Sequence, residues 1–140
     1  MISYSPQETI EYGRQFAKKL KGGEVIGLKG ELGSGKTTFI KGLAKGLKIQ
    51  EIITSPTFVI LKTYPAKIGQ KKIKLAHLDC YRLKSIQDAK SIGIEDYLGR
   101  KDTIVVIEWP EKISKILPKN IINIHFKHLN PSQRKIIIVK

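Results

Sequence analysis

The residues best suited to chemistry lie in a glycine-rich segment that runs from Gly30 to Thr37 and reads Gly-Glu-Leu-Gly-Ser-Gly-Lys-Thr. Its glycines allow backbone N–H groups to turn inward around a phosphate, and a helix that begins there directs its positive end at the same anion. The Lys36 ammonium suits the β- and γ-phosphates of a nucleotide, and the Thr37 hydroxyl suits Mg²⁺, which prefers oxygen ligands. The segment therefore predicts a phosphate-binding loop for ATP or GTP with magnesium.

Two carboxylates are placed to hold the water shell of that magnesium. Asp79 and Glu108 each come directly after a run of residues that predicts a buried strand. Ligands of open α/β sheets bind at the carboxyl ends of the strands, so both side chains are expected to face the nucleotide. Surface capping or a structural salt bridge is the alternative reading of each carboxylate.

Other side chains with reactive groups also have ordinary structural explanations. Thr57 could approach the γ-phosphate as part of a switch segment, although a turn residue would look the same in sequence. Cys80 has no evident base near it, and Trp109 follows a buried strand, so packing is favoured for both. Structural or surface roles are also favoured for the scattered histidines, namely His77, His125 and His128.

The loop needs a strand before it and a helix after it, and the pattern of apolar residues predicts both. Residues 25–28 form a short apolar run typical of a buried strand, and residues 37–47 carry apolar side chains at helical spacing. A first helix is predicted over residues 6–20, with Pro6 in its first turn and two glycines after its end. The loop thus lies in the strand-to-helix context that phosphate binding requires.

The rest of the chain predicts a sheet flanked by helical segments. Strands are expected over residues 57–64, 72–78, 103–107, 120–126 and 135–139, and a helical segment over 86–98 with an interruption near Gly93. The lysine-rich residues 67–74 are expected to form a solvated hairpin, and residues 130–132 a turn between two antiparallel strands. These elements predict one α/β domain over residues 1–140. It is a three-layer fold of the P-loop NTPase kind, with a mixed sheet that is parallel near the loop and antiparallel toward the C-terminus.

The composition bears on location and partners. The chain has 26 Lys and Arg against 12 Asp and Glu, a formal charge of +14. This charge favours polyanionic partners, although a lysine-rich composition alone explains it equally well. No apolar run approaches the roughly 18 residues of a spanning helix, the start lacks a secretory pattern, and one cysteine agrees with a reducing compartment. A cytoplasmic protein without a membrane role is predicted.

Four blocks of residues together resemble a known family. Residues 30–38 read Gly-Glu-Leu-Gly-Ser-Gly-Lys-Thr-Thr and residues 54–58 read Thr-Ser-Pro-Thr-Phe, while 77–83 read His-Leu-Asp-Cys-Tyr-Arg-Leu and 107–112 read Ile-Glu-Trp-Pro-Glu-Lys. Their order and spacing are similar to those of the TsaE (YjeE) family, the small bacterial P-loop ATPases of tRNA threonylcarbamoyladenosine biosynthesis. The resemblance extends from the first helix to the final strands.

The resemblance implies a Mg²⁺-dependent ATPase that partners the TsaD and TsaB proteins, which install threonylcarbamoyl on the adenosine beside the anticodon. ATP hydrolysis would reset that complex between turnovers, and hydrolysis without partners is expected to be slow. The resemblance also implies that Thr37 and Glu108 serve the magnesium, that Asp79 supports the water or metal shell, and that Thr57 acts as a switch. The expected catalytic residues are therefore Lys36, Asp79, Glu108 and Thr57.

Further residues are implied to lie at the nucleotide or at the partner surface. Tyr81, Arg82 and Trp109 match family positions near the site, and residues 5–9 with Arg134 match positions near the nucleotide base. The implied nucleotide contacts are Gly30, Gly33, Ser34, Gly35, Lys36, Thr37, Thr38, Trp109 and Arg134.

Other functions stay open on the sequence. A small-molecule P-loop kinase is the main alternative, but its arginine-rich lid is not evident among Arg14, Arg82, Arg100 and Arg134. A GTPase is disfavoured because the sequence has no Asn-Lys-x-Asp motif for guanine. The basic charge, without an obvious arginine finger or catalytic glutamine, suggests a nucleotide-gated binding module with negligible turnover. The charge also leaves direct contact with tRNA open.

Overall fold

The computed structural model describes residues 1–51 and 61–139, which form helices on both faces of one mixed sheet. The strands are β1 (Ile2–Ser3), β2 (Val25–Lys29), β3 (Leu61–Ile68), β4 (Lys71–Asp79), β5 (Thr103–Glu108), β6 (Ile122–Asn130) and β7 (Gln133–Val139). The α-helices are α1 (Pro6–Ala17), α2 (Lys36–Gly46) and α3 (Ile86–Ser91), and two 3₁₀ helices span Ile94–Asp96 and Pro110–Ile116.

The seven strands follow the order β1-β7-β6-β2-β5-β4-β3. The four central strands β6, β2, β5 and β4 run parallel, and the neighbours at both edges pair antiparallel. The predicted mixed sheet, parallel at the loop and antiparallel toward the C-terminus, is therefore confirmed. A second antiparallel pair, β3 with β4, lies at the other edge and contains the predicted lysine-rich hairpin, in which Lys67 is opposite Lys72.

Two hydrophobic clusters make the helices and the sheet a three-layer arrangement. One cluster joins α1 and α2 to the sheet through residues such as Phe16, Phe39 and Leu75. The other joins α3 and the 3₁₀ helices to the opposite face through residues such as Ala89 and Val105. Strand β5 is buried along its whole length and contributes to both clusters, which is typical of a central parallel strand. Within the described residues, none of the helices is both long and apolar enough to cross a membrane.

Helix α1 begins as predicted but ends earlier. Ser5 caps it by accepting the Glu8 N–H at 3.1 Å, and the Glu8 carboxylate accepts the Tyr4 N–H at 2.8 Å. The predicted end at Leu20 is wrong, because the helix ends at Ala17. The next three N–H groups bond to carbonyls three residues back, so the chain tightens into 3₁₀-type turns while Leu20 stays in the core.

Other element predictions are confirmed or differ in smaller ways. The interruption predicted near Gly93 is confirmed, since the segment over residues 86–98 is two short helices separated at Gly93, whose φ of 84° lies outside the range of a right-handed helix. Two elements were not predicted: strand β1, which has only two residues, and the 3₁₀ helix Pro110–Ile116. The first part of the strand predicted over residues 57–64 lies outside the described residues, and its second part is the start of β3.

Helices α1 and α2 touch backbone to backbone at two glycines. A Cβ at Gly13 would lie 2.3 Å from the Phe39 carbonyl oxygen, and a Cβ at Gly42 would lie 1.9 Å from the Ile10 carbonyl oxygen. Each distance is far shorter than a van der Waals contact, and the atom met is backbone, which cannot rotate away. The close approach of the two helices therefore depends on the absence of side chains at these positions.

We expect Gly42→Ala to destabilise the protein even though alanine favours helices over glycine by about 1 kcal/mol. The added methyl group would force α1 and α2 apart, at a net cost of at least about 2 kcal/mol in the free energy of unfolding. Chemical denaturation measures this cost. Lys41→Ala, an exposed change on the same helix, is the control and should stay within about 0.5 kcal/mol of the parent. Equal stability of Gly42→Ala and the parent would contradict the close packing.

Candidate phosphate-binding site

The loop between β2 and α2 has the backbone shape of an anion site. Gly33 and Gly35 have φ angles of 77° and 105°, a region that side chains other than glycine rarely adopt. Helix α2 begins directly after Gly35, so the N–H groups of its first turn, which have no acceptor within the helix, lie at the end of the loop. A negatively charged group in that space would be stabilised by several N–H dipoles at once.

Ser34 provides an independent indication that the loop fits a ligand. The residue is 1% exposed, and its hydroxyl has no hydrogen-bond partner among the residues that the structure describes. A buried hydroxyl without a partner is costly, and such groups are rare in folded proteins. Phosphate oxygens in the loop would be suitable acceptors for it.

Lys36, the first residue of α2, is 4% exposed and lies inside the loop. Its ammonium donates to the Gly30 carbonyl oxygen and lies 4.0 Å from the centroid of the Trp109 ring. Burial lowers the pKa of Lys36, and the charges of Glu108, Asp79 and Glu111 oppose that shift. The ammonium is thus held by a carbonyl and a ring face, neither of which carries the full negative charge of a phosphate.

Asp79 and Glu108 end neighbouring parallel strands and are paired in register. The same position of β5 also pairs with Leu28 of β2, so the two carboxylates and the loop that follows β2 lie at one edge of the sheet. Burial raises the pKa of Asp79, and the nearby charge of Glu108 raises it further. The Asp79 carboxylate also accepts the Tyr81 N–H at 2.9 Å, and this hydrogen bond lowers the pKa in part. The structure places both carboxylates in the lining of the cavity beside the loop, and the expectation that they face a nucleotide there stays a prediction.

His77 was expected to be a scattered structural or surface histidine, and the structure places it within the site. Its ring is fully buried, and its Nε2 lies 2.8 Å from Glu108 Oε2. His77 and Asp79 are two residues apart on β4 and so point to the same face of the sheet. The separation of 31 residues hid this contact from sequence reasoning, which had no register for the two strands. His125 and His128 are exposed, as expected.

Trp109 combines packing with a place in the site. It has a φ of 59°, unusual for a bulky residue, and its N–H donates to the Leu28 carbonyl oxygen at 3.3 Å. Its ring contacts the Tyr81 ring, with 5.2 Å between centroids, and also the Lys36 ammonium. The packing expected from sequence is correct but incomplete, because the packed ring also covers the Lys36 ammonium.

Cys80 is buried in the core as expected, and burial raises the pKa of its thiol to about 12.

A cavity of about 270 Å³ gathers most of the predicted residues. Arg134 lines it from the C-terminal hairpin, with its guanidinium donating to the Asn130 and Gln133 carbonyl oxygens. Thr57 lies outside the described residues. The residues around the cavity are Ser5, Pro6, Thr9, Leu32, Gly33, Gly35, Lys36, Thr37, Thr38, Asp79, Glu108, Pro131, Ser132 and Arg134.

The residues at the cavity fit magnesium only together with phosphate oxygens. Across residues 1–51 and 61–139, no group of three or more His, Cys, Asp and Glu side chains is arranged to hold a metal. Magnesium, however, keeps several waters and takes one or two carboxylates besides phosphate oxygens, so it does not require such a group. A threonine hydroxyl at Thr37 and carboxylates at Asp79 and Glu108 line the same cavity and match that donor set.

A glycine loop between a central parallel strand and the helix that follows it, under a mixed sheet, defines a P-loop fold. The crystal structure of Bacillus subtilis YdiB has this arrangement too: it superimposes with a TM-score of 0.79 and 32% sequence identity, covering 97% of this chain and 80% of that one. A family model described as threonylcarbamoyl adenosine biosynthesis protein TsaE matches residues 3–136. The chain belongs to the TsaE family.

Curated relatives agree with this assignment over nearly the whole chain. The tRNA threonylcarbamoyladenosine biosynthesis protein TsaE of Treponema pallidum is 39% identical over 98% of this chain and 97% of its own length. The protein of the same name from Bacillus subtilis is 35% identical over 94% of this chain and 79% of its own length. The resemblance seen in the sequence blocks is thereby confirmed.

We expect Asp79→Asn to stabilise the protein at neutral pH. Since burial raises the pKa of this carboxyl in the folded state, ionised Asp79 reduces stability above that pKa, and the penalty disappears below the ordinary value of 3.8. Asparagine keeps an oxygen for the Tyr81 N–H without the charge. The melting temperature should rise by on the order of 2 °C at pH 7 to 8, since the group is only half-buried, and the gain should shrink toward about pH 4.

Asp102→Asn is the matched control for this measurement. The hydrogen bond from Arg100, with that from Thr103, lowers the pKa of Asp102, so its ionised form favours folding, and this variant should show no gain at neutral pH. An Asp79→Asn protein that melts at or below the parent temperature at pH 7 would contradict the assignment of a destabilising charge.

Proposed function

We propose that the chain is a Mg²⁺-dependent ATPase that acts in tRNA threonylcarbamoyladenosine biosynthesis, in the cytoplasm. Membership of the TsaE family supports the process. One observation supports the chemistry: a glycine loop shaped to bind an anion, a buried ammonium and two strand-end carboxylates converge on one cavity. These are the parts that phosphoryl transfer from a nucleotide needs.

Each residue has a defined task in this proposal. The N–H groups of Gly33 and of residues 35–38, with the Ser34 hydroxyl, hold the phosphates, and Lys36 leaves the Gly30 carbonyl and the Trp109 ring to pair with the terminal phosphates. Magnesium, when bound, supplies positive charge that offsets the charge on the phosphate oxygens. Thr37 and Glu108 hold its coordination sphere, and Asp79 orients a water molecule or supports that sphere.

The outer part of the cavity suits the nucleoside. Ser5, Pro6 and Thr9 form one wall and Arg134 the other, beyond the loop that takes the phosphates. Thr57, which lies outside the described residues, is proposed as the switch that senses the terminal phosphate. Selection of ATP over GTP rests on the family and on the missing guanine motif rather than on a contact in this cavity.

The partners proposed for the chain are the TsaD and TsaB proteins, with contact to tRNA through that complex. Leu32 lines the cavity and is 68% exposed, and Tyr81, which is 43% exposed, contacts the Trp109 ring beside Lys36. A partner that covers them would close the cavity to water, and exclusion of water strengthens every charge interaction inside it. Slow turnover of the isolated chain and faster turnover in the complex follow from this arrangement.

We expect Lys36→Ala to weaken Mg²⁺-ATP binding by at least about 100-fold, because a charge-assisted hydrogen bond to phosphate would be lost inside a buried loop. Titration calorimetry measures the affinity. Lys41→Ala removes an exposed lysine one helical turn away and should bind like the parent. Parental affinity in Lys36→Ala would refute the site itself.

We expect Asp79→Ala and Glu108→Ala to bind ATP but to lower the hydrolysis rate by about two to three orders of magnitude. The rate of phosphate release, measured with TsaD and TsaB added, tests both the carboxylates and the partners. Glu95→Ala, an exposed acidic residue of the first 3₁₀ helix, is the control and should match the parent. Normal turnover in both carboxylate variants would refute their roles, and no stimulation by the partners would refute the complex. Transfer of phosphate to a metabolite would favour the kinase instead.

A further inference from the structure

His77 is the one buried polar side chain at the site that the proposed chemistry leaves without a task among the described residues. Its side chain has no exposed surface, and that of Glu108 is 5% exposed, so their 2.8 Å contact is sheltered from water. Burying a histidine at a sheet surface costs free energy unless the ring makes a specific contact. Here the contact is made to the carboxylate that the proposed function assigns to magnesium.

The geometry of the contact identifies which ring nitrogen carries the proton. The Nδ1 atom of His77 is buried and has no hydrogen-bond partner within residues 1–51 and 61–139, whereas Nε2 faces the Glu108 carboxylate. A carboxylate oxygen needs a donor, and an unpaired acceptor nitrogen is less costly than an unpaired N–H. The contact therefore assigns the proton to Nε2, which donates to Glu108 Oε2.

Strand register determines from which side His77 reaches the Glu108 carboxylate. On β4, His77 pairs with Val106, and Glu108 lies two residues further along β5 on the same face. His77 therefore reaches Glu108 diagonally from the interior of the sheet and leaves the outer part of the carboxylate toward the loop. Without this donor, the flexible glutamate side chain could turn to the Lys36 ammonium, whose pKa already responds to its charge.

We propose that His77 is a positioning residue that holds the Glu108 carboxylate in the orientation needed to receive magnesium with the nucleotide. The inference rests on the proposed function, since it concerns the same carboxylate. His77 acts through Glu108 and contacts neither phosphate nor metal itself. Outer partners that orient metal-binding groups typically change metal affinity or activity by about 10- to 100-fold when they are removed.

The test compares two amide side chains that differ by one methylene. In His77→Gln the amide nitrogen can reach the position of Nε2 and donate to Glu108, whereas in His77→Asn the shorter side chain cannot. The measured quantity is the affinity for a fluorescent ADP analogue. It is determined over a series of magnesium concentrations and again with EDTA, which removes the metal. We expect His77→Asn to raise the magnesium concentration needed for half-maximal tightening by about 10-fold or more. His77→Gln should stay close to the parent, and both should match it in EDTA.

A second comparison separates positioning from simple packing. In a Glu108→Ala background, His77→Asn should cause no further change in magnesium dependence, because the group on which His77 acts is gone. Three outcomes would each overturn the inference. The first is the same magnesium dependence in the parent and in His77→Asn, and the second is an equal increase in the required magnesium concentration in His77→Gln and His77→Asn. The third is an undiminished effect of His77→Asn in the Glu108→Ala background. If the parent itself bound the analogue without any magnesium effect, the proposed function would fail as well. Melting temperatures establish that each variant is folded.

Discussion

The parallel register of β4, β5 and β2 is the constraint on which the site depends. It aligns Asp79 with Glu108, and Glu108 with the last residues of the strand that enters the loop. Side chains alternate along a strand, so a shift of one residue in β5 would turn Glu108 to the opposite face of the sheet and away from His77. The fully buried apolar residues on both faces of β5 oppose such a shift, since it would exchange the contents of two separate cores. Core packing therefore fixes the site's geometry.

The charges at the cavity carry free-energy costs that a bound ligand of suitable charge would offset. Burial makes the charged forms of Lys36 and Asp79 less favourable, and the two strand-end carboxylates add mutual repulsion. The Ser34 hydroxyl, buried without a partner in the described part of the chain, and the left-handed backbone at Trp109 add to the cost. Unfavourable features of this kind cluster where a protein gives up stability to keep groups poised for binding. A ligand that carries both anionic oxygens and a divalent cation would relieve several of them together.

Sequence reasoning recovered the parts of the fold and site that depend on local pattern. The loop, its strand and its helix follow from spacing, and Asp79 and Glu108 could be placed because each ends an apolar run. His77 could not be assigned, because its partner is set by strand register, which no local pattern encodes. The early end of α1 at Ala17 depends on turns that preserve the burial of Leu20, a tertiary effect. The role of Thr57 stays a prediction, since that residue lies outside the described part of the chain.

The glycine contact between α1 and α2 has a consequence for how mutational surveys of this family should be interpreted. Gly13 and Gly42 lie at a helix crossing, yet α1 begins beside the cavity at Ser5 and α2 begins with Lys36. Widening that crossing would displace the start of α1 and the start of α2 at the cavity, although Gly13 and Gly42 are not among the residues that line it. A growth-based screen would then score these glycines together with the residues of the proposed site. Only measurements that separate protein abundance from activity per molecule would distinguish the scaffold from the chemistry.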